Sequence, residues 1–453
     1  MENNEHHYGL MTAITMIVGI CIGSGIFFKA DDILRYTGGD VALGVVVLCL
    51  GAFSIIFGSL SLTELSVRTE KNGGLVGYFE DFISPEIASA FGWFQTFLYI
   101  PSINVVVSWA AGIYTLMMLG VTSTLERQIL VGAVYLLLIY GMNYLSLRLG
   151  GNFQIITTYV KLIPLAGVAL LGMFWQPDVA LETSGQVATT NSSGWLWLAA
   201  LAPTAFSYDG WPVATSITNE IKNPKRNMPL ALIIGPTVVL TVYVLYFLGI
   251  NRILGAEYIL QVGDQAIYDV GRLLLGERGG AIILSFVVVS VLGVTNGLTI
   301  GNLRMPQALA TKNMIPFAKE VGEVDMKKKL SKNSFYISLF FSIFWMLIHY
   351  LTQKMNLIPG GDISEIAIIF GYICYPVLYV KIIQMYWKKE VKSVFKGLLS
   401  PVLGVLGSLI IVLGGIISNP VSVSIFIGIC FIVSLTGFIY YRKKTFGKRS
   451  FRD

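Results

Sequence analysis

The chain has 453 residues, of which 55% are hydrophobic and only 13% charged, with a mean hydropathy of +0.70. Soluble chains carry about 25% charged residues, so water-soluble domains are excluded and a polytopic membrane protein is expected. The formal charge of +6 does not point to nucleic acid, because the basic residues are spread over loops and gather on no soluble domain.

Apolar stretches of about 20 residues, enough to cross a bilayer, fall near 10–36, 41–66, 86–119, 127–147, 153–175, 194–217, 229–250, 278–308, 333–352, 363–385, 398–418 and 421–441. This predicts an all-α membrane protein with 12 transmembrane helices. The N-terminal MENNEHHYG has no basic region or cleavage site, so the first span is expected to be retained. Twenty-four of the 32 Lys and Arg lie in loops on one side and seven on the other. The positive-inside rule then places both termini in the cytoplasm. Cys21, Cys49, Cys374 and Cys430 lie within apolar runs without metal-ligand spacing or a pairing pattern, and read as small buried side chains.

Span one, ITMIVGICIGSGIFF, is interrupted by Gly23-Ser24-Gly25. Unpaired backbone groups cost several kcal/mol each in the bilayer core, so a helix broken there needs a polar partner. Gly19-x-x-x-Gly23 could instead serve close helix packing. Residues 67–85 and 251–277 form longer loops with helical spacing of apolar residues. They follow spans two and seven, equivalent places if spans 1–5 and 6–10 are copies in opposite orientation. That arrangement demands a break in span six, and AFSYDGWP supplies one. Pro212 lacks an N–H and disfavours helix at Trp211, and Asp209 is ionisable near mid-membrane. Paired interruptions in two halves point to a transporter binding site. Lys161 lies deep in span five, where an uncompensated charge costs ~2.5–3.5 kcal/mol or more; a structural ion pair would be the bland explanation.

The blocks ICIGSGIFF, AFSYDGW and TNEIKNPKRNMPLA resemble the L-type amino acid transporter (LAT) family of the amino acid–polyamine–organocation (APC) superfamily, in particular bacterial exchangers of small neutral amino acids. The resemblance covers about residues 8–385; spans 11 and 12 rest on hydropathy. It implies a LeuT-like 5+5 inverted repeat with discontinuous helices 1 and 6, divided as 1–175, 194–386 and 397–441, with a basic cytoplasmic tail at 442–453. It implies a multi-pass protein of the plasma (inner) membrane.

A zwitterionic substrate needs donors for its carboxylate and acceptors for its ammonium. The amides of Ser24, Gly25 and Ile26 at a half-helix start suit the carboxylate, with the Ser24 hydroxyl as an extra donor; Gly23 and Gly25 permit close approach. The resemblance assigns the ammonium to the carbonyls of Cys21, Phe206 and Asp209, with Phe206 as a cover. The Asp209 side chain either meets the substrate amine or only shapes the break. Ser24, Ser207 and Asp209 make a compact polar pocket, which leans towards alanine, serine, threonine or cysteine. By resemblance, Lys161 stands where sodium-coupled relatives bind a cation, Tyr243 lies near the lysine and the substrate carboxylate, and Asn296 hydrogen-bonds the same region. Ser102 and Asn104 are candidate pocket walls, and His349 reads as interfacial. The outer loop around LGVTSTLER lacks the cysteine through which animal relatives join a heavy chain, so no disulfide-linked partner is expected. No cofactor or metal is expected.

These readings favour a sodium-independent exchanger of neutral L-amino acids in the lipid bilayer. A proton-coupled symporter on the same scaffold stays open, with Asp209 as titrating group. An intramembrane enzyme using Ser24, Lys161 and Asp209 has no recognised motif behind it, the large cytoplasmic domain many receptors use for signalling is not expected, and a channel would need currents far exceeding carrier turnover.

Overall fold

The computed structural model describes residues 9–23, 25–69, 74–174, 194–211, 221–325 and 330–449. The described residues are almost wholly helical, with one isolated bridge between Asp325 and Leu330. Ten helices among them are long and apolar enough to cross a membrane. Two more apolar helices are too short, Leu10–Gly19 and Leu196–Ser207. These two short ones lie in the stretches where the sequence predicts interruption.

The first stretch forms α1 (Leu10–Cys21), α2 (Gly25–Phe28) and α3 (Ala30–Tyr36), and α4 (Val41–Ser66) returns across the bundle. Then follow α5 (Gly74–Phe82), α6 (Pro85–Phe94), α7 (Ile100–Met118), α8 (Leu125–Leu145), α9 (Leu147–Val160), α10 (Leu162–Phe174) and α11 (Leu201–Ser207). The second part has α12 (Pro224–Leu254), the short helices α13 (Ala256–Val262) and α14 (Ala266–Leu275), α15 (Gly279–Thr311), α16 (Ala318–Gly322), α17 (Lys332–Lys354), α18 (Ile363–Trp387), α19 (Ser400–Ser418) and α20 (Pro420–Arg449). Leucine, isoleucine and phenylalanine are exposed on α8, α10, α17, α19 and α20, as a lipid-facing periphery requires.

Prolines inside the helices organise the packing. A proline offers no N–H to the carbonyl four residues earlier, and in a water-free core that carbonyl needs another donor. Pro101 frees Phe97 O, and the Trp345 indole N–H of α17 donates to it at 2.7 Å. Pro306 frees Asn302 O, which accepts from the Ser338 hydroxyl at 2.7 Å. Pro236 frees Leu232 O, and the Ser59 hydroxyl lies 3.3 Å away. A π-helical turn also precedes the proline in two places: Gln95–Tyr99 before Pro101 and Phe395–Leu399 before Pro401.

Two expectations are corrected. His349 is fully buried, edge-on to Trp109 with ring centroids 4.6 Å apart, and is not interfacial. Cys49 is exposed and Cys374 partly so, while Cys21 and Cys430 are buried; apolar surroundings in sequence do not separate the lipid face from the core.

The proline compensation predicts a double-mutant cycle. Ser338→Ala orphans Asn302 O and should lower stability by roughly 0.6–1.7 kcal/mol, the range for hydrogen bonds between membrane helices. Pro306→Ala restores an N–H to that carbonyl, so the Ser338→Ala penalty should shrink in its background. Unfolding midpoints of the four proteins in detergent check this; equal penalties would contradict it.

Candidate functional site

The α1 helix makes its last backbone bond from Ile22 N–H to Val18 O at 2.9 Å, and Ile22 is already extended. The carbonyls of its last turn therefore lose their helical partners. Two are met by side chains from distant helices. The Lys161 ammonium donates to Gly19 O, and the Tyr243 hydroxyl of α12 lies 2.9 Å from Cys21 O. Beyond the break, Lys29 N–H reaches Gly25 O at 2.8 Å. The first N–H groups of a new helix have no acceptor within it.

The second break has the same construction. Tyr208 N–H closes α11 on Thr204 O at 3.2 Å and Asp209 N–H reaches Phe206 O at 3.1 Å. Gly210, at φ 98°, then turns the chain through a backbone region that L side chains rarely adopt. Ser207 O is 2.8 Å from the same Tyr243 hydroxyl that serves Cys21 O. One phenol thus stands between the carbonyl ends of both interrupted helices. It has a single proton to donate.

The two breaks also touch directly. A Cβ on Gly25 would overlap the Ser207 backbone, so only glycine lets α2 lie against α11. Gly19 and Gly23 are tight as well, with added Cβ atoms 2.9 Å from Thr158 and Val294 respectively. Close helix packing and a backbone break therefore coexist in one stretch.

Lys161 occupies the turn between α9 and α10 and is 2% exposed. Among the described residues no carboxylate lies within ion-pair distance of it, so the ion-pair explanation for its burial fails. Asp209 accepts from the Tyr99 hydroxyl at 2.6 Å. Tyr99 closes the π-helical turn ahead of Pro101. Trp211 and Tyr375 pack edge to face, 5.6 Å apart, and Tyr372 lies 5.4 Å from Tyr375. None of these aromatic residues was among the candidates.

Above Phe206 lies a group that sequence reasoning read only as a loop charge. The Lys29 ammonium sits 5.5 Å from the Phe206 ring centroid and donates to Asp362 at 2.8 Å and Glu365 at 2.6 Å, with Asp32 at 3.5 Å. The Lys29 side chain is 3% exposed. Asp362 and Glu365 share one face at the start of α18, so this cluster ties the segment after α2 to α18 beside Phe206.

Ser24, and Pro212 in the second break, lie outside the described residues. Cys21, Gly23, Gly25, Ile26, Phe206, Ser207 and Asp209 fall at the two breaks. Tyr243 is on the carbonyl side of them, the side suited to an ammonium. Asn296 makes its hydrogen bonds to neighbouring helices: it accepts from Asn143 at 2.8 Å and donates to Gly150 O at 2.9 Å and Gln154 at 3.0 Å. Asn104 donates to Thr299 at 2.9 Å and Ser102 to Tyr99 O at 3.0 Å.

With two interrupted helices facing each other around polar backbone, comparison with known proteins becomes informative. The profile of the Amino acid permease family matches residues 8–441. The chain belongs to this family. The permease is 29% identical over 442 residues to the serine/threonine exchanger SteT of Bacillus subtilis (strain 168), covering 96% of each chain. It is 28% identical to the human b(0,+)-type amino acid transporter 1, over 96% of this chain and 87% of that one. It is 27% identical to the human large neutral amino acids transporter small subunit 2, over 84% and 70% respectively. Family membership places the chain among multi-pass amino acid transporters of the APC superfamily, with LAT-type relatives, and not among enzymes.

In this permease Tyr243→Phe keeps the ring and removes the donor to both breaks. An orphaned buried carbonyl costs about 1–3 kcal/mol, so substrate uptake should fall tenfold or more while the protein stays monodisperse. Gly25→Ala should abolish uptake by pushing the breaks apart. Uptake in proteoliposomes beside size-exclusion profiles checks both; full activity in Tyr243→Phe would remove the hydroxyl from the site.

Proposed function

We propose that the protein is a sodium-independent exchanger of neutral L-amino acids, favouring small ones such as alanine, serine, threonine and cysteine. It works by alternating access on a 12-helix, 5+5 inverted repeat, 1–175 against 194–386, with 397–441 as added helices and the tail 442–453. The observation that carries this reading is the meeting of the two breaks at Gly25 and Ser207, with Tyr243 between their carbonyl ends.

In this reading the substrate carboxylate takes the amides at Ser24, Gly25 and Ile26, where a helix begins and partial positive charge collects. The ammonium takes carbonyls of Cys21, Phe206 and Asp209. Two of these already receive one donor each, from Tyr243 and from the Asp209 N–H, and a carbonyl has a second lone pair to offer. Lys161 supplies a fixed positive charge on the last turn of α1, which removes the need for sodium. Phe206 and the Lys29 cluster close the outer side, with both termini cytoplasmic. Exchange is supported by the Bacillus relative, itself a serine/threonine exchanger. No disulfide-linked heavy chain takes part.

A proton-coupled symporter has one specific observation in its favour, the Asp209 carboxylate bonded to Tyr99 at 2.6 Å beside the site. Counterflow of labelled amino acids into proteoliposomes separates the two. Exchange should be equal with and without sodium and should need substrate inside. Strict sodium dependence with Lys161 intact would overturn the proposal, and accumulation driven by a pH gradient into empty vesicles would favour symport.

A further inference from the structure

We propose that the pocket where α4, α12 and α19 converge binds a phosphate group carried by an anionic phospholipid. The pocket encloses about 290 Å³ and is lined by Thr63, Glu64, Arg68, Lys225, Pro229 and Lys396, with Val67. Its walls are fixed: the Ser59 hydroxyl reaches from α4 to Leu232 O of α12, and Ser61 and Ser400 join α4 to α19 at 3.1 Å.

The lining carries three cations and one carboxylate. The Glu64 side chain is 9% exposed and holds Arg68 at 2.5 Å and Lys396 at 3.4 Å, so the lining residues carry two positive charges in excess. Among the described residues Lys225 has no carboxylate within ion-pair distance. The motif N-P-K-R-N, prominent in the sequence and unused by the transport site, places it there. Asn223 turns the chain at φ 49° and Pro224 opens α12 at a helix-start position. Lys225 therefore stands in the first turn of α12, at the end where the helix's partial positive charge collects.

The surroundings favour a lipid over a soluble ion. Ile233 and Ile234, about 12–14 Å further along α12, are exposed, as are Phe395 and Leu399 on either side of Lys396. A headgroup held by the cations would lay its acyl chains on these apolar side chains. Basic pockets between membrane helices hold anionic headgroups in this way. Tyr243 lies about five turns along the same α12, so a lipid anchored at its start steadies the helix that spans both breaks.

The test is thermal unfolding of the purified full chain in micelles, with phosphatidylglycerol, phosphatidylcholine or inorganic phosphate added. A ligand of the folded state raises the midpoint. Phosphatidylglycerol should raise it by several degrees, phosphatidylcholine and inorganic phosphate should not, and the exposed double variant Lys225→Gln/Lys396→Gln should lose most of the rise. An equal rise with inorganic phosphate would overturn the lipid assignment in favour of a soluble anion. No rise with phosphatidylglycerol, or the same rise in the variant, would overturn the site. Because the readout is unfolding, failure here leaves the transport reading untouched.

Discussion

The whole arrangement follows from one constraint: a backbone carbonyl without a helical partner cannot turn to water inside a membrane. Several such carbonyls here are met by a side chain from another helix. Trp345 serves Phe97 O, Ser338 serves Asn302 O, Lys161 serves Gly19 O, and the Tyr243 hydroxyl stands within reach of Cys21 O and Ser207 O. The places where helices break or bend therefore determine which helices must be neighbours. Apolar packing alone gives weak direction between membrane helices, because lipid tails are as apolar as leucine.

The site is a concentrated instance of the same rule. Two breaks that would each be expensive alone are set against each other, so one hydroxyl of α12 reaches the carbonyl ends of both. Glycine at position 25 is what lets them approach. The backbone groups left over are the ones assigned to the substrate zwitterion in the proposed function. Lys161 sets its ammonium on Gly19 O at the end of α1, and among the described residues no carboxylate lies within ion-pair distance of it.

Much of this was legible in the sequence. The interruptions at 23–25 and 206–211, and most span boundaries, follow from hydropathy and from Gly and Pro chemistry, which are local. What stayed hidden depends on contacts between distant segments. Lys29 lies 333 positions from Asp362, and in sequence it is one more loop charge; the pair Asp362 and Glu365 at a helix start was the available signal. Tyr99 reaches Asp209 from a π-helical turn whose only trace is Pro101 two residues on. Asn296 shows the reverse. A polar residue in a span must find a partner, but the sequence does not say whether that partner is a ligand or a neighbouring helix, and here Asn143, Gly150 and Gln154 fill the role.

In the proposed alternating-access cycle the Lys29 cluster would part and re-form. Each closure would take an ammonium and its carboxylates out of water, at several kcal/mol per ion, and their mutual attraction would offset part of that cost. Opening would reverse both terms, and a bound amino acid with a few kcal/mol of preference for one state would shift the population decisively. Water at the rim would then be a reactant of the cycle, released on closing and taken up again on opening.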